Sequence, residues 1–140
     1  MRETFSISDL QKVAKQEKNP PACDYTMKVK VLEAVDGVAK GEWTIDESFI
    51  NGNGVVMGGF VSGAVDIMMA YAITSLLTDD QGFASIDLDT TFHRPAIEGT
   101  AEITATVERR GRSIAYLTGE VRQNDKLVAN TVSSVLILSK

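Results

Sequence analysis

The stretch Asn51–Leu77, NGNGVVMGGFVSGAVDIMMAYAITSLL, decides how the rest of the chain is read. From Val55 to Leu77 its polar side chains are Ser62, Asp66, Thr74 and Ser75, and Gly58, Gly59 and Gly63 cluster near its start. A run of this length and hydropathy predicts a helix buried on most sides. A membrane span is the rival reading. An Asp in mid-span opposes insertion by about 2.5 to 3.5 kcal/mol, and no Lys or Arg closely flanks either end, so the helix is assigned to the centre of a soluble domain.

On both sides of this helix the pattern changes to period two. Met27, Val29 and Val31 alternate with Lys28 and Lys30, Asp36-Gly37 supplies a turn, and a second run passes through Trp43 and Ile45, which together predict a hairpin. Beyond the helix, Ile86, Leu88 and Phe92 alternate with Ser85, Asp87, Asp89 and His93. Ala101, Ile103, Ala105 and Val107 repeat the alternation, and runs near Ala115–Val121 and Leu127–Leu138 follow. Hairpin, long apolar helix and several antiparallel strands make an α+β layout in which a sheet covers a helix. At the other end Ser6 or Ser8 can cap a short helix carrying Leu10, Val13 and Ala14, expected as a surface brace. Asn19–Cys23, with Pro20 and Pro21, is the only linker-like break, so residues 1–22 are read as an N-terminal helix and connection and 23–140 as one domain.

With 140 residues the chain has room for one core. Fourteen Lys and Arg against 19 Asp and Glu, a net charge of −5, argue against nucleic acid or an anionic membrane as partner. A phosphate-bearing ligand must then be met by a local cluster. Cys23 is the single cysteine, which excludes an intrachain disulfide and fits a cytoplasmic protein, and no signal-type apolar core opens the chain. No His/Cys cluster is spaced to hold a metal; Asp87 and Asp89 read as the solvated side of a strand.

Two features carry chemistry. Asn51–Gly54 form a glycine-rich loop and Gly58-Gly59 lie where the helix begins, so unpaired backbone N–H groups point outward where a developing oxyanion can be held. Asp66 is a carboxylate inside a mostly apolar helix: it is paired, neutral or functional. Desolvated, it gains basicity and serves as general base or nucleophile; the alternative is a buried Asp bonded to backbone or to Ser62. Gly58 and Asp66 are eight residues apart, about 12 Å along a helix axis. If both act on one bond, they must come from different chains.

Asn51, Gly58-Gly59 and Asp66, followed by Ser85 in FASIDLDTTFHRPA, resemble the PaaI-type (phenylacetate-degradation) hotdog thioesterases. The likeness runs from about Thr26 to Leu138 and includes Arg94-Pro95-Ala96 and the ERRGR turn. It implies a hotdog fold, a curved antiparallel sheet wrapped around the long helix, and hydrolysis of acyl-CoA. The Gly58 N–H, helped by the Asn51 amide, would polarise the thioester carbonyl, Asp66 would activate water, and the Ser85 hydroxyl would help hold it. Homodimers or homotetramers with shared sites are implied, with CoA as part of the substrate and no separate cofactor. Met57 is a departure, because the family usually has His-Gly-Gly there.

Arg109, Arg110 and Arg112 gather positive charge around Gly111, either as solvated hairpin charges or, as the resemblance implies, against the CoA phosphates with Arg94 as a further contact. His93 reads as a partly exposed strand residue; Met57, Met68 and Met69 line an acyl tunnel or belong to the core. The loss of His at position 57 motivates a second reading, a non-catalytic acyl-CoA-binding module. A hydratase is disfavoured because no Asp and His are placed as a dyad.

Overall fold

The computed structural model describes residues 3–140. Helix α1 (Ile7–Ala14) starts at a reciprocal cap: the Ser6 hydroxyl accepts from the Asp9 amide, and the Asp9 carboxylate accepts from the Ser6 amide. It is more than a surface brace. Ile7, Val13 and Ala14 join the core, and the Gln11 side chain donates to the carbonyls of Thr74, the last residue of the long helix, and of Leu77 just beyond it.

A second helix, α2 (Ala22–Met27), was not expected; Met27 ends it rather than beginning the hairpin, and Lys28 turns the chain with a φ of 58°. Strands β1 (Val29–Val35) and β2 (Val38–Ile45) then pair across Asp36-Gly37, both at positive φ, the conformation that matches the twist of a two-residue hairpin. After a single 3-10 turn (Glu47–Phe49) and the glycine-rich loop comes α3 (Gly58–Thr74), shorter at both ends than the apolar run. No described helix is long and apolar enough to cross a membrane.

The expected strand around Ser85–His93 is two: β3 (Gln81–Ser85) and β4 (Asp89–Phe92). Both pair with the last strand, but Ser85 faces Val135 while Asp89 faces Val132. Four steps on one side against three on the other force a bulge, where the Asp87 carboxylate accepts from the Ser134 amide and its carbonyl from the Ser133 hydroxyl. β5 (Gly99–Arg110), β6 (Ile114–Gln123) and β7 (Lys126–Ser139) complete an antiparallel sheet in the order β1-β2-β5-β6-β7-β3, with β4 also on β7.

This is the hotdog architecture, a curled sheet wrapped around α3. The apolar side chains alternate inward because one sheet face is packed on the helix. Gly119 in β6 allows that packing to be close: a Cβ there would lie 2.5 Å from Val65 Cγ1. Met68 and Met69 are core residues beneath the sheet, not open tunnel walls. Trp43, Phe49 and Phe60 stack edge to face, 5.5 and 5.0 Å between successive centroids, and lock the segment before α3 onto its first turn.

Candidate active site

The loop Asn51–Met57 is fixed by its own backbone and by one side chain. Asn51 N–H donates to the Val55 carbonyl at 2.7 Å and Gly54 N–H to the Asn51 carbonyl at 3.0 Å; Gly54, at φ 81°, makes the turn. The Asn51 Oδ1 accepts from the amides of Asn53 (2.9 Å) and Val55 (3.3 Å). That pins the amide orientation and leaves Nδ2 as a donor with no partner among the described residues. Val56 N–H and Met57 N–H are spent on the carbonyls of Ala96 and Phe49. The next two amides, Gly58 and Gly59, make no hydrogen bond among the described residues, and the Met57 side chain provides no cap. The start of α3 therefore presents two bare donors at the positive end of the helix dipole, and the loop leading into it carries an oriented carboxamide.

Phe92, the last residue of β4, rests on this end. Its Cζ is 2.9 Å from where a Cβ on residue 58 would sit, so any side chain there would strike the ring. Together with Val55, Val56, Gly58, Val61, Pro95 and Ala96, and with His93 and Arg94, it lines a recess of about 390 Å³. Strand β4 is tied to α3 by hydroxyls: Ser62 donates to Thr90 at 2.8 Å, and Thr90 is 3.0 Å from the buried Thr131.

Ser62 is thus not the partner of Asp66. Asp66 lies on the open face of α3, in line with Gly59 and near the half-covered Ser62, Gly63 and Ala70, and makes no hydrogen bond among the described residues. The helix is buried on most sides, as expected, by the sheet and by α1 and α2; only Gly59 and Asp66 along it are exposed. The carboxylate is reached by solvent, yet desolvation by the surrounding protein raises its pKa above the ordinary range. Ser85 ends β3 with its hydroxyl exposed and without a hydrogen bond among the described residues.

Within one chain these groups do not converge. Gly58 and Asp66 are both helical, about 12 Å apart along the axis. The arginines also separate: Arg94, whose Nη1 donates to the Leu127 carbonyl at 2.6 Å, is at the recess, whereas Arg109, Arg110 and Arg112 are at the far end of β5. Twelve strand residues make that roughly 36 Å. The ERRGR turn lies toward the C-terminal end of α3, since Gly37 touches both Leu76 and Val107. His93 is exposed and bonded to Asn130.

The sequence profile of the thioesterase superfamily matches residues 53–129, from the loop before α3 into β7. The chain belongs to the thioesterase superfamily. Its fold is similar to that of a phenylacetic acid degradation-related protein from Ralstonia eutropha JMP134, with a TM-score of 0.84, 29% identity, and 91% of this chain and 98% of that one covered. A thioesterase from Haemophilus influenzae (TM-score 0.80, 16% identity, 99% and 94% covered) shares the fold. So does a mutant of the phenylacetic acid degradation protein PaaI from Thermus thermophilus (0.76, 23%, 81% and 96%). Among curated proteins none matches it. In this superfamily member, two features of the Gly58 end were not recognised from sequence. Phe92 reads as an inward strand residue like Ile86 and Leu88, and the Ser62-Thr90-Thr131 chain joins positions far apart in sequence. The only available signal was that Thr90 and Phe92 fall on the same side of a strand.

Proposed function

We propose that the protein hydrolyses acyl-CoA thioesters in a site built by two chains. The observation that carries this is the division of labour along α3: bare amides and an oriented Asn51 Nδ2 at its start, and an unpaired carboxylate of raised basicity about 12 Å further on. The thioester carbonyl lies against the Gly58 N–H and Asn51 Nδ2, which stabilise negative charge as it develops on oxygen. Asp66 of a second chain takes a proton from water as the water oxygen bonds to the carbonyl carbon. The tetrahedral intermediate then collapses with C–S cleavage, and the proton passes to the leaving thiolate, giving the free acid and CoA. The Ser85 hydroxyl, at the end of β3, helps hold the water.

A two-fold axis that lays two α3 helices antiparallel along their open faces brings Asp66 of one to Gly58 of the other. It also brings the ERRGR turn of the second chain to the Gly58 end of the first, where its three guanidiniums meet the CoA phosphates. The outer edge of β3, unpaired in one chain, is available to the same assembly.

The test is hydrolysis of a short-to-long and aromatic acyl-CoA panel without added metal, followed by thiol detection. Asp66→Asn is expected to lower kcat by about 100-fold or more with little change in thermal stability. In the wild type kcat/KM should rise with pH as Asp66 ionises, through a midpoint above the usual carboxylate range, and Asp66→Asn should remove that limb. A fully active Asp66→Asn protein refutes the assignment. Met57, exposed and offering no hydrogen bond beside the oxyanion donors, favours one second reading, an acyl-CoA-binding module. CoA esters bound but never cleaved would establish it.

A further inference from the structure

We propose that Phe92 is the acyl-specificity residue, its ring forming the floor on which an apolar acyl chain lies as the thioester carbonyl engages the Gly58 amide; this rests on the thioesterase reading above. Phe92 is 53% exposed, an unusual state for a Phe in a four-residue strand pressed against a helix start. The ring is not loose. Its strand is held to α3 through Ser62-Thr90 and to β7 through Thr90-Thr131, and the ring itself touches the Cα side of Gly58.

What fills the adjoining recess follows from its walls. Val55, Val56, Val61, Phe92, Pro95 and Ala96 are apolar, and the backbone donors of Val56, His93 and Arg94 are already used. Val56 N–H bonds to the Ala96 carbonyl, and the His93 and Arg94 amides bond to that of Val128. At its rim His93 is bonded to Asn130, and one Arg94 nitrogen is held by the Leu127 carbonyl. The pantetheine arm carries two amides that would lose water against these apolar walls, whereas a hydrocarbon chain loses nothing there. The acyl side of the thioester therefore enters the recess and the pantetheine side leaves it. Because Phe92 both lines the recess and contacts the oxyanion glycine, its size sets how long a chain fits while the carbonyl remains on the Gly58 N–H.

The experiment uses full-length protein and straight-chain acyl groups of increasing length in two forms: the CoA thioesters for hydrolysis, and CoA ketones, with a methylene replacing the sulfur, for binding by calorimetry. Phe92→Ala is expected to raise the long-to-short ratio of both affinity and kcat/KM by about tenfold or more, and Phe92→Trp to lower it by a similar factor. The Trp variant keeps an aromatic ring in place should truncation prevent folding. Unchanged ratios in a folded variant overturn the proposal, even if wild type hydrolyses every ester. Ketones that bind with a Phe92-dependent length profile, but esters that are never cleaved, would uphold the acyl floor and refute the thioesterase reading. Binding of no ketone at any length overturns both.

Discussion

A mixed dimer gives a direct measure of whether two chains build each site. The structure fixes the magnitudes. Gly58 and Asp66 lie about 12 Å apart on one rigid helix, and the reacting carbonyl and water must approach to about 3 to 3.5 Å. An Asp side chain cannot span the difference. One parent carries Asp66→Asn; the other carries Asn51→Asp, chosen because an Asp oxygen can still accept from the Asn53 and Val55 amides while the Nδ2 donor is lost. Each lesion alone should reduce turnover by about 100-fold or more. With shared sites, a mixed dimer holds one doubly damaged site and one intact site. Random reassociation makes about half the dimers mixed, so about a quarter of wild-type activity returns, some 25-fold above either parent. Dimers isolated through a different tag on each parent should reach about half. If every site lay within one chain, each would retain a lesion in any mixture. Tandem-purified mixed dimers no more active than their parents would refute the shared site.

Neutralising Arg109, Arg110 and Arg112 to Gln should raise KM for CoA esters several-fold and weaken its salt dependence, while hydrolysis of a short thioester lacking the nucleotide is unaffected, because phosphate contacts lie far from the reacting carbon. An unchanged KM returns the turn to ordinary surface charge. Elsewhere, the buried Asp24 accepts the Tyr71 phenol at 2.5 Å and has no ion-pair partner among the described residues, and desolvation raises its pKa. A carboxyl whose folded pKa is raised favours folding most when protonated, and that contribution is lost as pH rises through the folded value. Asp24→Asn, which can still accept the phenol, should therefore gain in melting temperature over wild type near about pH 7, with the margin shrinking toward about pH 4; a constant or reversed margin across that range contradicts this.

How much of the site was legible depended on whether its physics was local. The cap at Ser6, the Asp36-Gly37 turn and the start of α3 follow from short-range rules, and the structure has all three. Helix α2 is six residues, ACDYTM, too short for a period to show, and Met27 happens to continue the alternation of Val29 and Val31. The break between β3 and β4 was invisible for a related reason: side chains keep alternating through Ile86-Asp87-Leu88, and only the count against β7 reveals the extra residue. Asp66 posed a different problem. An apolar helix implied burial, but the face bearing Gly59, Asp66 and their neighbours has no cover within one chain. Nothing in a single sequence states which face of a helix the sheet leaves open.

Gly58 shows how a residue can be legible for one reason and constrained by a second. From sequence, the pair Gly58-Gly59 means freedom of approach to a backbone donor. In the fold, the bare amide is only half of its specification, because the Phe92 ring occupies the space of a side chain at 58. Replacing the glycine would displace that ring before it obstructed a ligand. The proposed oxyanion donor and the proposed acyl floor therefore meet at one Cα, and the Ser62-Thr90-Thr131 chain holds the strand that carries the ring. On this geometry, a change of acyl specificity by substitution at 92 leaves the donor where α3 puts it. A change at 58 alters both at once.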